Sequence, residues 1–280
     1  MTPVTARRLR FRLGTRPGTY VAAAVLLLLV LAALAPQLFT AQDPLAVDSA
    51  RTLSPPSAGH LLGTDENGRD VFSRIVFGTR TSLLLGFGAI AIALVGGGLL
   101  GVAAGLGNRV VDNLIMRVSD IGLAFPELLL ALVVITVAGG GTSNALLAIG
   151  VANIPGYARV VRAQTLSIRR SSYVEAAHAL GLSTSRVVLR HVLPNAVKPV
   201  LILATIGVGS ALVAGSALSF LGLGTPPPEP EWGSMLSTAR NFISRAWWYG
   251  VFPGAAITLT VISVTVVGRA LRLRSEGRTW

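Results

Sequence analysis

The chain contains no cysteine. Disulfides, thiolate metal sites and thiol nucleophiles are therefore excluded, and redox compartment leaves no trace in the sequence. Charge is scarce too. Only 13% of residues are Asp, Glu, Lys or Arg, against about 25% in soluble domains. A soluble chain of 280 residues would form one or two domains with a polar coat, and there is too little charge here to make one. Lysine is nearly absent. The only one, Lys198, sits in LPNAVKPV and not at the end of a glycine-rich phosphate loop, so the chain has no Walker A site. His60, His178 and His191 are scattered along the chain. They form no cluster of metal ligands and no catalytic constellation, which argues against a membrane enzyme. The serines of GVGSALVAGSALSF read as helix packing and not as nucleophiles.

What is abundant is apolar length and arginine. Hydrophobic residues make up 52% of the chain, and the formal charge is +12. Apolar runs extend over 19–39, 82–106, 114–138, 143–163, 196–221 and 250–270. About 20 such residues cross a hydrocarbon core of ~30 Å. Lipid admits only helices or closed barrels, and these runs are continuous instead of alternating. They predict an all-α, polytopic membrane protein with six transmembrane helices. The first run follows Arg7, Arg8, Arg10, Arg12 and Arg16. At about 20 residues it is longer than the apolar region of a signal peptide, so it reads as a retained helix.

Basic residues set the orientation. Segments 1–18, 107–117, 159–198 and 269–280 hold 18 of the 24 Lys and Arg. Surplus positive charge marks cytoplasmic loops, which puts both termini in the cytoplasm. It also accounts for the net charge without nucleic acid, since long apolar runs do not suit a nucleic-acid binder. The expected organisation is a basic tail (1–18), a first transmembrane helix (19–39), an extracytoplasmic segment (40–81), a five-helix core (82–270) and a second tail (271–280). Trp232, Trp247, Trp248 and Tyr249 suit a membrane interface.

Several patterns within the spans stand out. Gly97, Gly101 and Gly105, and again Gly207, Ala211 and Gly215, recur every four residues. Small residues at that spacing let helices approach closely, either within the chain or at a subunit interface. The third span is the least apolar and holds Asp120, Pro126 and Glu127. An acid at membrane depth marks either a transport path or a structural contact.

The loop RVVRAQTLSIRRSSYVEAAHALGLSTSRVVLRHVLPN, within about 164–195, is long and patterned. Ser172 and Glu175 have capping-box spacing. Gly181 is placed to end a short helix in a left-handed conformation. A second short helix is expected from Ser183 or Thr184, with Pro194 restricting its end. The first helix is expected to expose Ala176, Ala177 and Leu180. That face fits either a groove on another protein or, with Arg169, Arg170, Arg186 and Arg190 as anchors, an anionic lipid surface.

At this loop the sequence resembles a known family. EAAHALG, with HVLP after nine intervening residues, is similar to the EAA loop of binding-protein-dependent ABC permeases. The matching positions are Glu175, Ala176, Ala177, Gly181, Leu193 and Pro194. The segments HLLGTDENGRDVFSRIVFGTRTSLLLG, DIGLAFPELLLAL, SFLGLGTPPPEPEWGSML and WWYGVFPGAAITLTVISVTVVG resemble the dipeptide, oligopeptide and nickel branch, on the side of its C-type subunit. The chain departs from that branch after Gly268, where GRALRLRS replaces an acidic continuation.

The resemblance implies a type I ABC importer permease fold in the inner membrane. It implies a heterodimer with a second, homologous permease, two ABC ATPase subunits that bind ATP and Mg, and an extracytoplasmic peptide-binding protein. The loop would be the ATPase-coupling element, carried by Ser172, Glu175, Ala176, Ala177, Leu180, Gly181, Leu193 and Pro194. Glu175 would cap the helix and meet the ATPase. Segments 40–81 and 223–249 would face the binding protein. Peptides are the implied substrate, with nickel or glutathione as alternatives in the branch. The main rival class is a secondary transporter, which needs internal repeats and broken helices around an ion site.

Overall fold

The computed structural model describes residues 17–275. The basic stretch 1–16 and the end 276–280, with Arg278, lie outside the described residues. The described chain forms ten α-helices in this order: α1 (Pro17–Leu34), α2 (Val71–Leu106), α3 (Arg109–Leu123), α4 (Glu127–Ala138), α5 (Thr142–Arg169), α6 (Ser172–Ala179), α7 (Thr184–Val187), α8 (Leu193–Phe220), α9 (Trp232–Ala239) and α10 (Trp247–Ser275). Four helices are long and apolar enough to cross a membrane alone, and the bent α3–α4 pair makes a fifth. α5 falls below that test although it has 28 residues. It carries Asn153, Pro155, Tyr157, Arg159 and Arg162. Its neighbours α2, α3, α4 and α8 enclose it, so it needs less apolar surface than a lipid-facing helix.

α2, α5 and α8 form the centre of the bundle, flanked by α4 and α10, with α1 laid across α10 and α2. The core is built largely of small and branched residues: Ala89 and Ala93 on α2, Ala145, Ala148 and Ile149 on α5, Val208 and Ala211 on α8. Lipid tails are as apolar as leucine, so hydrophobic burial alone does not hold helices together in a bilayer. Close backbone packing does. A Cβ on Gly97 would lie 2.5 Å from the Cβ of Tyr157, and one on Gly101 would lie 2.5 Å from the Ala158 carbonyl oxygen. One on Gly105 would lie 2.7 Å from the Cβ of Thr165. All three glycines thus abut α5 of the same chain. Gly207 faces Tyr157 and Ile90, and Gly215 faces Leu85 and Ile149. The outward side chains of these and the flanking helices, such as Leu27, Val95, Leu99, Leu259 and Ile262, are exposed, as a lipid-facing surface requires.

The helices depart from the sequence expectation in three places. The second begins at Val71, well before the apolar run, because Asp70 caps it by accepting from the Ser73 N–H at 2.7 Å. Arg74 and Arg80 dilute its first turns, but the α2 backbone continues through them. The predicted third span, 114–138, is not one helix. It breaks between Leu123 and Glu127 into α3 and α4, which meet at 96°. Pro126 explains this, since it has no N–H to donate and its ring excludes the preceding turn. Third, the aromatic cluster does not sit at an interface as a group. Trp232, Trp248 and Tyr249 are buried in protein, and only Trp247 is exposed. Trp232 donates to the Ile75 carbonyl (3.0 Å) and Trp248 to the Thr64 carbonyl (3.2 Å).

These contacts belong to a second small core at the Val71 end of α2. Val71, Met235, Ala239, Ala246, Trp248 and Tyr249 pack there. A buried charge network sits beside it. Asp65 accepts from Arg69 Nε at 2.7 Å and lies 3.4 Å from Arg74 Nε. Arg74 also donates to the carbonyls of Pro44 (3.1 Å) and Pro228 (3.3 Å). One guanidinium therefore ties the segment after α1 to the segment after α8. α2 has 36 residues and is about 54 Å long at 1.5 Å per residue. This cap and the α6 loop thus stand at opposite ends of the molecule.

Candidate coupling site and transport cavity

The α6 loop is a compact two-limbed hook. Ser171, not Ser172, occupies the N-cap position, and its side chain caps nothing. Its Oγ instead donates back to the Ile168 carbonyl at 2.6 Å. Ser172 is the first helical residue, so the capping box expected with Glu175 does not form. The reason is local. α5 runs on to Arg169, and Ser171 bonds back to its last turn before α6 begins.

The turn after α6 is as the glycine suggests. Gly181 has φ +80°, the left-handed region that penalises a Cβ. The Leu182 N–H donates to the Ala177 carbonyl (3.2 Å) and the Gly181 N–H to the His178 carbonyl (2.9 Å). This is the Schellman pattern, normally sealed by an apolar contact across the turn. Leu182 packs against the cluster that contains Ala177.

That cluster fixes which face of α6 is free. Val174 and Ala177 are buried with Val187 and Val192, against Leu106 of α2 and Ile168 of α5. Ala177, expected on the outer face, is turned inward. Glu175, Ala176 and Leu180 point outward, with Leu180 82% exposed. The surroundings are basic, since Arg169, Arg170, Arg186 and Arg190 are all exposed. Pro194 does not end the second limb. α7, a π-turn over Val188–Val192 and α8 run on without interruption. The wider turn accommodates a proline whose ring would crowd an α-helical carbonyl. Asn195 donates to the His191 carbonyl at 2.7 Å, and Leu193 and Pro194 open α8. Tyr173 clasps the two limbs, accepting from Asn195 at 3.4 Å and meeting the His191 ring edge-on.

Polar contacts join the hook to the bundle. Arg169 donates to the Gly105 carbonyl at 3.3 Å. One α5 turn or more back, Arg162 holds Asp112 of α3 through two bonds, and Arg159 pairs with Asp120. Asp120 is thus neutralised by its own cation. Glu127 is not. It makes no ion pair among the described residues, and its Oε1 accepts from Asn153 Nδ2 at 2.7 Å.

Asn153 also lines a cavity of about 530 Å³ between α5, α8 and α10. Tyr157, Ile206, Ser210, Val261 and Thr265 contribute to its wall. The wall is mainly apolar with a few hydroxyls and one amide.

Residues 97–280 match the family model described as binding-protein-dependent transport system inner membrane component. The chain belongs to that family. It is therefore a multi-pass inner-membrane permease. The permease is 43% identical over 243 residues to the dipeptide transport system permease protein DppC of Alkalihalophilus pseudofirmus, covering 87% of this chain and 80% of that one. It is 38% identical to the glutathione transport system permease protein GsiD of Pectobacterium atrosepticum, covering 89% and 82%. Among solved structures, an amino acid ABC transporter crystallised with histidines has the same fold, at TM-score 0.58 and 15% identity, over 72% of the permease and 94% of that chain.

Asn153, Tyr157, Asp65, Asp70 and Glu231 do not stand out in the sequence. Asp70, one residue ahead of a long helical run, carries the readable signal of an N-cap. Glu231 caps α9 locally, but Glu is not among the usual N-cap residues. Asp65 has Arg69 four residues on, a pair that gives no sign of burial, and Asn153 meets Glu127 across 26 residues of chain.

Proposed function

We propose that this permease is one half of the membrane gate of an ABC importer for dipeptides and short peptides. In this reading a second, homologous permease completes the gate. Two ATPase subunits carry ATP and Mg and receive α6 in a surface groove. An extracytoplasmic binding protein delivers peptide to the end capped by α9 and the 40–70 segment. The hook end and both termini lie in the cytoplasm, supported by the basic residues concentrated there. Glutathione, named for one relative, is itself a small peptide and is the second reading of the substrate.

The observation that carries this reading is the α6 hook. Its inner face is locked to α2 and α5, and its outer face is free. A push on α6 reaches α5 through Ile168 and Arg169, and α5 cannot slide past α2 without displacing the Gly97, Gly101 and Gly105 contacts. α2 and α5 then move as one body, which fits alternating access by rigid rocking. Glu175 is the one acid on the hook, and it meets the ATPase.

The test is affinity purification of the tagged chain from native membranes in mild detergent. The wild type brings down a second permease and ATPase subunits. Glu175→Arg retains the second permease and loses the ATPases at least tenfold, the scale of one buried charge-assisted contact turned repulsive. Equal ATPase recovery with both would refute the coupling role.

A further inference from the structure

The two acids of the broken third span have different fates. Asp120 is paired with Arg159. Glu127 follows the Pro126 break, is exposed and has only an amide as partner. A carboxylate at membrane depth without a cation is expensive in lipid, so its environment must be water or a polar occupant. Two observations place it beside the cavity. Its hydrogen-bond partner Asn153 is a wall residue. Tyr157, one turn along α5 and also in the wall, lies within its electrostatic reach. The second donation from Asn153 goes to the Ile149 carbonyl at 2.9 Å, which fixes the amide between Glu127 and its own helix. The wall itself offers hydroxyls, the Asn153 amide and apolar surface, and none of its lining residues is charged.

From this geometry we infer that Glu127, held by Asn153 at the edge of the α5–α8–α10 cavity, receives the ammonium terminus of the peptide in transit. The inference rests on the peptide-import reading. It adds that this chain, and not only the delivering protein, selects for a free amino end. The chemistry is complementary. Every unblocked peptide carries an α-ammonium, a carboxylate accepts from it with a charge-assisted bond, and the hydroxyls and apolar wall tolerate varied side chains. One such contact binds without trapping, as a path that must release its cargo requires.

Glu127→Gln separates this role from a structural one, because the glutamine carbonyl still accepts from Asn153. The experiment uses the complete complex in proteoliposomes, with saturating binding protein loaded from a mixture of di- to pentapeptides and uptake read by mass spectrometry. Glu127→Gln is expected to lower uptake about tenfold, the scale of one lost charge-assisted hydrogen bond. Binding-protein-stimulated ATPase activity stays at the wild-type level, and Glu127→Asp recovers part of the uptake. Wild-type uptake by Glu127→Gln would overturn the inference. So would loss of the second permease or of ATPase stimulation, which would assign Glu127 to assembly. If the wild-type complex hydrolyses ATP but takes up none of the peptides, the import reading fails, and that result is distinct from a defect confined to the variant.

Discussion

Gly101→Val is expected to destabilise the bundle by about 3 kcal/mol, the upper end of overpacking effects. A Cβ at this position lies 2.5 Å from the Ala158 carbonyl oxygen and 2.6 Å from the Val161 Cβ. The first of these neighbours is backbone and cannot rotate away. α2 and α5 must separate, and the contacts of Gly97 and Gly105 loosen with them. Valine also adds two methyl groups where no space exists. Gly98→Ala is the control, since nothing lies within 4 Å of its added Cβ. There the exchange is neutral or favourable by up to about 1 kcal/mol through helix propensity. Thermal unfolding of both variants in detergent, followed by size-exclusion chromatography, checks the pair. Similar melting of Gly101→Val and wild type would show that the α2–α5 contact is looser than described.

Glu231→Ala is expected to cost about 3 kcal/mol as well, for a different reason. Glu231 is fully buried. Its carboxylate accepts from the N–H groups of Gly233 and Ser234, both at 2.8 Å, and from Ser82 Oγ at 3.1 Å. It thereby caps α9 and fastens it to α2. Alanine leaves two buried donors and one half-buried donor without an acceptor, and an unmet donor costs more than its bond contributed. Glu231→Asp retains a capping oxygen but is one methylene too short for Ser82, so its loss is smaller. Limited proteolysis should cut first within 223–246 in the alanine variant. An unchanged melting temperature and unchanged cleavage would contradict the capping role.

The helical class and the number of long apolar segments were legible because hydropathy reports the lipid-facing surface, and α1, α2, α8 and α10 face lipid over much of their length. Hydropathy says less where a helix is wrapped by others or interrupted. α5 was legible as the run 143–163, but nothing in its apolar pattern told that α2, α3, α4 and α8 enclose it. The break at Pro126 was visible as a proline, but a proline can also kink a helix gently. Only tertiary packing sets the 96° turn. In the hook, Gly181 was readable since a left-handed turn tolerates few other residues. Ser171 and Ser172 are adjacent and chemically alike, so where the helix starts was decided by the end of α5 and not by the capping pattern. Pro194 marked an expected stop that a π-turn absorbed. The buried pair Asp65–Arg69, with Arg74, was legible only as part of an extracytoplasmic segment, because burial of charge depends on partners such as Pro44 and Pro228 that the sequence does not bring together.

In the proposed importer the outer face of α6 docks on an ATPase, while its inner face is packed into the bundle. Because the chain has no cysteine, a single introduced thiol is its sole thiol. Leu180→Cys is placed on the free face and Val174→Cys on the buried one, which is 1% exposed. The measurement is crosslinking with a short thiol-to-amine reagent in native membranes, with the adduct identified by mass spectrometry. An ATPase adduct is expected from position 180 and none from position 174. An ATPase adduct from neither position, or from Val174→Cys alone, would contradict it.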